Sequence, residues 1–210
     1  MKRCFVIAAG DKDCHIPPIT EGDYIIAADK GFDICKEIGL NPDLAVGDWD
    51  SLSEPPAGCP IIELPAEKDD TDTLAAIKIG IQKGYDEFHI LFGTGGKRID
   101  HTIANIQSLL YLSKRGKRGY LYFKESVITA VTNGLLRFSR NAGGDLAIFA
   151  ADGTACGVYE KGLKYSLNNA EVTCDFPIGA SNSFTGRESE ISVKKGSLYI
   201  VFPKEVFPID

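Results

Sequence analysis

The 210-residue chain has no CxxC pair; its six cysteines (Cys4, Cys14, Cys35, Cys59, Cys156 and Cys174) lie far apart. Zinc-type spacing is therefore absent, and a disulfide framework is not expected in a chain of this size. Nor does any run approach the roughly 20 apolar residues of a membrane span. The opening MKRCFVIAAGDKD has two basic residues and a short apolar run that stops at Asp11-Lys12-Asp13. That leaves no room for a full signal-peptide core, so the stretch reads as a first buried strand. A cytoplasmic protein with no membrane partner is the expectation. Positive charge is scarce as well: 23 Lys and Arg stand against 29 Asp and Glu, a net charge of −6. Broad nucleic-acid binding, which needs clustered basic residues, is excluded on that ground. A nucleotide substrate is not, because Mg²⁺ can neutralise phosphates instead. Internal repeats, low-complexity segments, a Gly/Ser linker, a GxxxxGK[ST] loop and a GxGxxG fingerprint are all missing.

What is present is the composition of a globular protein, 44% apolar and 25% charged, with length for one large domain or two small ones. Through about residue 123 short apolar runs alternate with helical patterns. Cys4 to Ala9, Tyr24 to Ala28, Leu44 to Gly47, Pro60 to Leu64 and Phe88 to Phe92 read as strands. Phe32 to Gly39, Thr71 to Lys83 and Ile99 to Arg115 read as helices. Leu74, Ile77 and Ile81 are expected to form one buried face, and Ile103, Ile106, Leu109 and Leu110 another. Continuous apolar strands alternating with helices predict an α/β domain with a mostly parallel sheet over residues 1–123. Its ligands would bind beyond the carboxyl ends of the strands.

From about Lys124 the rhythm changes to period two. The candidate strands are Val127 to Val131, Leu135 to Phe138, Leu146 to Phe149, Gly157 to Leu167, Ala170 to Thr173, Glu188 to Val193 and Ser197 to Phe202. Turn residues such as Asn133-Gly134 and Lys195-Gly196 separate them, predicting an all-β sandwich or barrel domain over residues 124–210.

Polar segments of the first half fall just after strands. In EKDDTDTLAAI, Asp69, Asp70 and Asp72 crowd a helix start. Capping by Asp70 or Thr71 and the helix macrodipole account for one or two carboxylates there. A second acidic pair, Asp48 and Asp50, follows Gly47. Two acid clusters at one sheet edge repel each other unless a cation lies between them, and Mg²⁺ binds through one or two carboxylates plus phosphates. The third segment, Gly93-Thr94-Gly95-Gly96-Lys97-Arg98-Ile99-Asp100-His101, lets backbone approach phosphate and adds the planar fork of Arg98. The bland alternative there is a turn with Asp100 as helix N-cap and Arg98 in a surface ion pair. His101 could serve as a catalytic base but is read as bridging Asp100 to the sheet, and His89 is read as a satisfied core histidine.

Taken in order, Ala28-Asp29-Lys30-Gly31, Gly47-Asp48-Trp49-Asp50-Ser51, Lys68-Asp69-Asp70-Thr71-Asp72, the Gly93 to His101 segment, Gly162-Leu163-Lys164-Tyr165 and Ser181-Asn182 resemble the motifs of the thiamine pyrophosphokinase family. The likeness spans nearly the whole chain. It implies transfer of pyrophosphate from ATP to the hydroxyl of thiamine, with Mg²⁺, giving thiamine diphosphate and AMP. It also implies a homodimer whose active sites form where one subunit's catalytic domain meets the other's β domain. Carried over, Asp48, Asp50, Asp69 and Asp72 would be the metal-associated carboxylates, and Lys68 and Arg98 would offset phosphate charge. Asp29, Gly31, Gly93, Thr94, Arg98, Asp100 and His101 would hold ATP, while Asp72, Tyr165, Ser181 and Asn182 would face thiamine. Asp70 falls at a variable position and is left to capping. Lys30, Trp49, Leu74 and Lys97 depart from the usual residues, but none removes a carboxylate. A Mg²⁺-dependent nucleotide phosphohydrolase and a non-catalytic thiamine- or nucleotide-binding module are the alternatives.

Overall fold

The computed structural model describes residues 1–49 and 56–209. Its elements in chain order are β1 (Arg3–Ile7), β2 (Tyr24–Ala28), α1 (Gly31–Ile38), β3 (Leu44–Gly47), β4 (Ile61–Glu63), α2 (Asp72–Gln82), β5 (Glu87–Leu91), α3 (Ile99–Ser113) and β6 (Arg118–Tyr122). Then follow β7 (Ser126–Thr132), β8 (Leu135–Phe138), β9 (Asp145–Ala150), β10 (Thr154–Lys161), β11 (Leu167–Thr173), β12 (Asn182–Ser183), β13 (Ser189–Lys195) and β14 (Ser197–Pro203). Two compact units result, one of Met1–Ser108 with Lys117–Lys124, the other of Leu109–Gly116 with Glu125–Asp210. Asp50, expected among the metal carboxylates, lies outside the described residues.

In the first unit six parallel strands stand in the order β6-β5-β1-β2-β3-β4. The parallel sheet read from continuous apolar runs is thus present, and the pattern alone leaves β6 unmarked. Alternation along β1 and β5 pairs Cys4 with Phe88 and Phe5 with His89, so these pairs face opposite sides of the sheet. Gly80 of α2 rests on the first pair: a Cβ there would meet Phe88 Cε1 at 2.6 Å and Cys4 Sγ at 3.2 Å. On the other side His89 stacks on Phe5 at 4.5 Å and on Tyr120 at 5.4 Å. Both its ring nitrogens are engaged, Nδ1 with Tyr122 Oη at 2.8 Å and Nε2 with Glu87 Oε1 at 3.0 Å. It is the satisfied core histidine expected.

Both long helices turn differently from the sequence reading. The buried face of α2 is Thr73, Ala76, Ile77 and Gly80, with Leu74 and Ile81 only half-buried. Small residues win because the helix lies close against the sheet. In α3 the buried positions are Thr102, Asn105, Ser108, Leu109 and Leu112, while Ile103 is 53% exposed. Three polar side chains therefore lie on the buried face, which was expected to be apolar; Thr102 and Asn105 are needed for the loop described below, and Ser108 Oγ donates to the Ala104 carbonyl.

The strands of the second unit form two antiparallel arrays, β12-β9-β14-β7 and β11-β10-β13-β8, and the end of α3 belongs to the same unit. Phe138, Ile148, Leu198 and Ile200 are wholly buried in it. The strand expected from Gly157 to Leu167 breaks at Gly162. A Cβ on Gly162 would fall 2.0 Å from the Glu188 carbonyl oxygen, and its φ of 72° departs from extended backbone. Beyond it, residues 163–166 form a loop that includes an isolated bridge from Leu163 to Phe184. All six cysteines are free thiols.

Candidate active site

Strands β1 and β5 are neighbours, but the chain leaves β1 toward β2 and leaves β5 toward β6. That reversal opens a crevice beyond their carboxyl ends, where ligands of open α/β sheets bind. A cavity of about 400 Å³ lies there, lined by Ala8 to Gly10, Ala28 to Lys30, Asp48, Thr71 to Thr73, Phe92 to Arg98, His101, Thr102 and Asn105. Its floor requires small residues. A Cβ on Gly10 would lie 2.3 Å from the Thr94 carbonyl oxygen, and one on Gly31 1.9 Å from that of Ile7. Gly31, expected with the nucleotide, therefore serves close helix–strand packing and does not line the cavity.

Three strands feed the crevice through left-handed turns. Asp29, Trp49 and Phe92 follow β2, β3 and β5 with φ of 47°, 60° and 55°. For residues with a Cβ such conformations cost on the order of 1–3 kcal/mol each, and they persist where surrounding structure imposes them. Asp29 and Asp48 reach the cavity from such turns, and Asp72 reaches it from the first turn of α2. Lys68 stands between two of them, its Nζ 2.9 Å from Asp48 Oδ2 and 2.9 Å from Asp72 Oδ1. The first contact is an aligned hydrogen bond, whereas Asp72 Oδ1 is buried and receives no aligned donor among the described residues. Burial pushes the Asp72 carboxyl up from its ordinary value. Lys68 opposes that rise, and the charges of Asp29 and Asp48 add to it. Burial alone would lower Lys68, but Asp48 and Asp72 together outweigh it and hold its ammonium above the usual range.

The crowded helix start resolves into separate tasks. Thr71 caps α2, its Oγ1 accepting from Leu74 N at 3.2 Å. Asp70, expected as a cap, instead takes Lys78 Nζ at 2.7 and 2.6 Å. Asp69 is exposed and does not line the cavity, so it stands apart from the carboxylates it was grouped with. Among the described residues no three acidic, His or Cys side chains form a ready-made metal cage. Asp48 and Asp72 do fit a hard cation. Their oxygens already flank one positive charge, and magnesium commonly takes one or two carboxylates with phosphate oxygens completing its shell.

Opposite the acids lies the glycine-bearing loop. Asn105 Nδ2 donates to the Gly93 carbonyl at 2.7 Å, and Gly95 N donates to Thr102 Oγ1 at 3.1 Å. Both side chains are nearly buried, at 4% and 7% exposure. Sequence reasoning missed this pair; its signal is the spacing of Thr102, Asn105 and Ser108, three apart along one face of the helix. Lys30, Lys97, Arg98 and His101 bring cationic or ring nitrogens to the same cavity. Arg98 is engaged by Asp100, Nε to Oδ1 at 3.0 Å and Nη2 to Oδ2 at 2.7 Å. Its guanidinium holds the Asp100 carboxyl down at about 2. This is the surface ion pair of the bland alternative. With the side chains 64% and 60% exposed, it contributes little to stability and can yield to a phosphate. His101, expected to bridge Asp100 to the sheet, is exposed and faces the cavity.

In the second unit Tyr165 is 59% exposed, and Ser181 sits in a left-handed turn with φ 62°. Asn182 is 3% exposed. Its Oδ1 accepts from Tyr165 N and Ser183 N, both at 2.9 Å, and its Nδ2 donates to the Tyr165 carbonyl at 2.8 Å. Asn182, expected to face thiamine, clamps the backbone of Tyr165.

Residues 19–121 match the family model for the thiamin pyrophosphokinase catalytic domain, and residues 136–198 that for the thiamin pyrophosphokinase vitamin B1 binding domain. The chain is 29% identical over 214 residues to the thiamine pyrophosphokinase of Bacillus subtilis (strain 168), spanning 96% of this chain and 98% of that protein. Its structure is similar to the crystal structure of thiamine pyrophosphokinase from Bacillus subtilis, with a TM-score of 0.86 at 27% identity over 96% of this chain and 99% of that one. A thiamin pyrophosphokinase family protein from Enterococcus faecalis gives a TM-score of 0.80 at 28% identity, over 97% and 99%.

Proposed function

Because the chain belongs to the thiamin pyrophosphokinase family, we propose that it transfers the pyrophosphoryl group of ATP to the hydroxyl of thiamine, giving thiamine diphosphate and AMP. The observation that carries this for the molecule itself is the cavity at the reversal of strand order. It sets Asp29, Asp48 and Asp72 against a glycine-bearing loop flanked by Lys97 and Arg98. The hydroxyl oxygen attacks the β-phosphorus in line, the bond to the α-phosphate oxygen breaks, and AMP leaves. Such transfer depends on positioning and on neutralising charge more than on covalent help from the protein. The Gly93 to Gly96 backbone, held by Asn105 and Thr102, seats the phosphates. Arg98, released from Asp100, and Lys97 and Lys30 offset their charge. Asp48 and Asp72 would hold Mg²⁺, which supplies further charge neutralisation of the triphosphate when bound. Lys68 keeps those two carboxylates facing one point.

We assign ATP to the half spanning residues 1–123 and thiamine to that spanning 124–210, where the exposed ring of Tyr165 offers a stacking surface and Ser181 a polar contact. We further propose a cytoplasmic homodimer in which one subunit's ATP half serves the other's thiamine half, as the family resemblance implies. An assay reading AMP and thiamine diphosphate together tests the activity. Both products should appear in equal amounts and only when thiamine is supplied. AMP at the same rate without thiamine would mark a phosphohydrolase, and thiamine affinity with no product a binding module. Mixing Asp72→Asn subunits with Tyr165→Ala subunits, at a thiamine concentration too low for the latter to turn over, tests the shared site, since mixed dimers should regain turnover; mixtures no more active than their parents argue against sharing.

A further inference from the structure

Lys68 stands where the transfer reaction alone does not call for it. Carboxylates gathered for a dication bind it less well with a fixed positive charge in their midst. Yet the Lys68 ammonium lies 2.9 Å from Asp48 Oδ2 and 2.9 Å from Asp72 Oδ1. The side chains of Lys68, Asp48 and Asp72 are 16%, 15% and 25% exposed, so water screens them poorly. Without a cation the two acids would repel across that partly dry gap. The ammonium thus engages the same oxygens that a metal would use. It cannot share them with a dication, because like charges so close repel and magnesium draws its oxygens in to about 2.0–2.1 Å.

Two features make the ammonium removable. Lys68 belongs to the segment between β4 and α2, outside both elements, and its charge rides on a flexible four-carbon stem. Of its two carboxylate contacts only that to Asp48 is an aligned hydrogen bond, while Asp72 Oδ1 is buried with no aligned donor among the described residues. An oxygen held in that way is poised for a cation that binds without directional demands.

We propose that Lys68 is a tethered placeholder: when no metal is bound its ammonium takes the cation position between Asp48 and Asp72, and it gives way to metal that arrives with nucleotide. This rests on the reading that those two carboxylates hold Mg²⁺. A free ion would have to displace the ammonium and leave it stranded beside a like charge. Metal carried by a triphosphate brings anionic oxygens to which the displaced ammonium turns. Lys68 therefore makes the crevice weak toward free divalent ions and selective for the metal–nucleotide pair.

The test is calorimetric titration of the full chain, without thiamine, using Mn²⁺ alone and then ATP with Mn²⁺. Lys68→Met keeps the stem and removes the charge. It should bind free Mn²⁺ at least about tenfold more tightly than wild type, so that the advantage of Mn²⁺–ATP over free Mn²⁺ shrinks. Affinity for free Mn²⁺ unchanged or lowered in Lys68→Met overturns the proposal, since a lysine that only shapes the site leaves metal binding unmoved or weaker when lost. Lys68→Arg retains the charge and should bind free Mn²⁺ as weakly as wild type; a gain equal to that of Lys68→Met overturns the proposal. Adding Asp72→Asn to Lys68→Met should abolish the gain, and a gain that persists overturns it as well. Should Lys68→Met fail to fold by itself, Mn²⁺ should restore its native circular dichroism; a chain that stays unfolded with Mn²⁺ present refutes the placeholder. Asp72→Asn in the otherwise native chain separates this from the underlying reading. Weakened binding of Mn²⁺–ATP there, with no gain in Lys68→Met, removes the placeholder alone, whereas unchanged Mn²⁺–ATP binding removes the metal site with it.

Discussion

Replacing Glu160 by Gln should flatten a pH dependence of stability that the native chain carries. On β10 its Oε1 is buried with no hydrogen-bond partner among the described residues, and in the folded unit the carboxyl holds its proton up to about 7, against an ordinary value of 4.5. The folded state therefore binds the proton more tightly than the unfolded chain. The stability this contributes is complete below 4.5 and is lost as pH climbs through 7. Over that interval the slope is roughly −1.4 kcal/mol per pH unit, about 3 kcal/mol in all. At 2% exposure, solvent screening removes little of it. Gln is neutral throughout and of similar shape, so subtracting its curve cancels contributions from every other titrating group. The assay is urea unfolding followed by circular dichroism at pH 4.5, 6, 7 and 8 for both proteins, with slopes m compared so that midpoint differences report stability. Near pH 4.5 the two should match, and by pH 8 the native chain should be the weaker by about 3 kcal/mol. Parallel curves across the range would show that Glu160 is solvated or paired, and would remove the reasoning about its buried oxygen.

Asp72→Asn should lower kcat by about 10²–10³-fold or more while circular dichroism and melting stay native, because it removes one carboxylate from the cation position but keeps its shape; full turnover would take Asp72 out of the mechanism. Lys68→Met leaves Asp48 and Asp72 facing each other with no ammonium between them. It should cost about 1–3 kcal/mol at pH 7 and less as pH falls, because the raised Asp72 carboxyl takes up its proton before an ordinary aspartate does, as read by denaturant midpoints at pH 7 and at an acidic pH. An equal cost at both would mean that the ammonium does not hold the pair. Gly80→Ala gains up to about 1 kcal/mol of helix propensity but drives a methyl to 2.6 Å from the buried ring of Phe88. Overpacking of about 1–3 kcal/mol should win, and Phe88→Leu in the same chain should relieve it.

Much of the architecture was legible because strands buried on both sides must be apolar throughout. Tyr24–Ala28 and Leu44–Gly47 are bounded as their composition suggests, and Leu135–Phe138, buried on one face only, as its alternation suggests. The helices were legible in extent but not in orientation. Periodicity weights side-chain volume, whereas α2 meets its sheet through Ala76 and Gly80, and α3 buries Thr102 and Asn105 to hold a loop. The clustering of carboxylates was visible in the sequence; their division of labour was not. Which of Asp69, Asp70 and Asp72 reaches the crevice depends on Thr71 taking the cap and on Lys78 lying eight residues beyond Asp70 to claim it. Glu160 escaped notice because one acidic residue in a period-two strand is ordinarily on the solvent side. Its inward direction follows from the register of β10 with β13, which composition does not encode.

The polar seat of α3 has a consequence for how the crevice answers strain. Grease-like contacts let a rod creep by fractions of a turn, whereas the attachments of Thr102 and Asn105 to Gly95 and Gly93 are made or broken whole. The glycine-bearing loop therefore has a notched rather than a sliding adjustment, and a helix displaced by one residue would lose both catches at once.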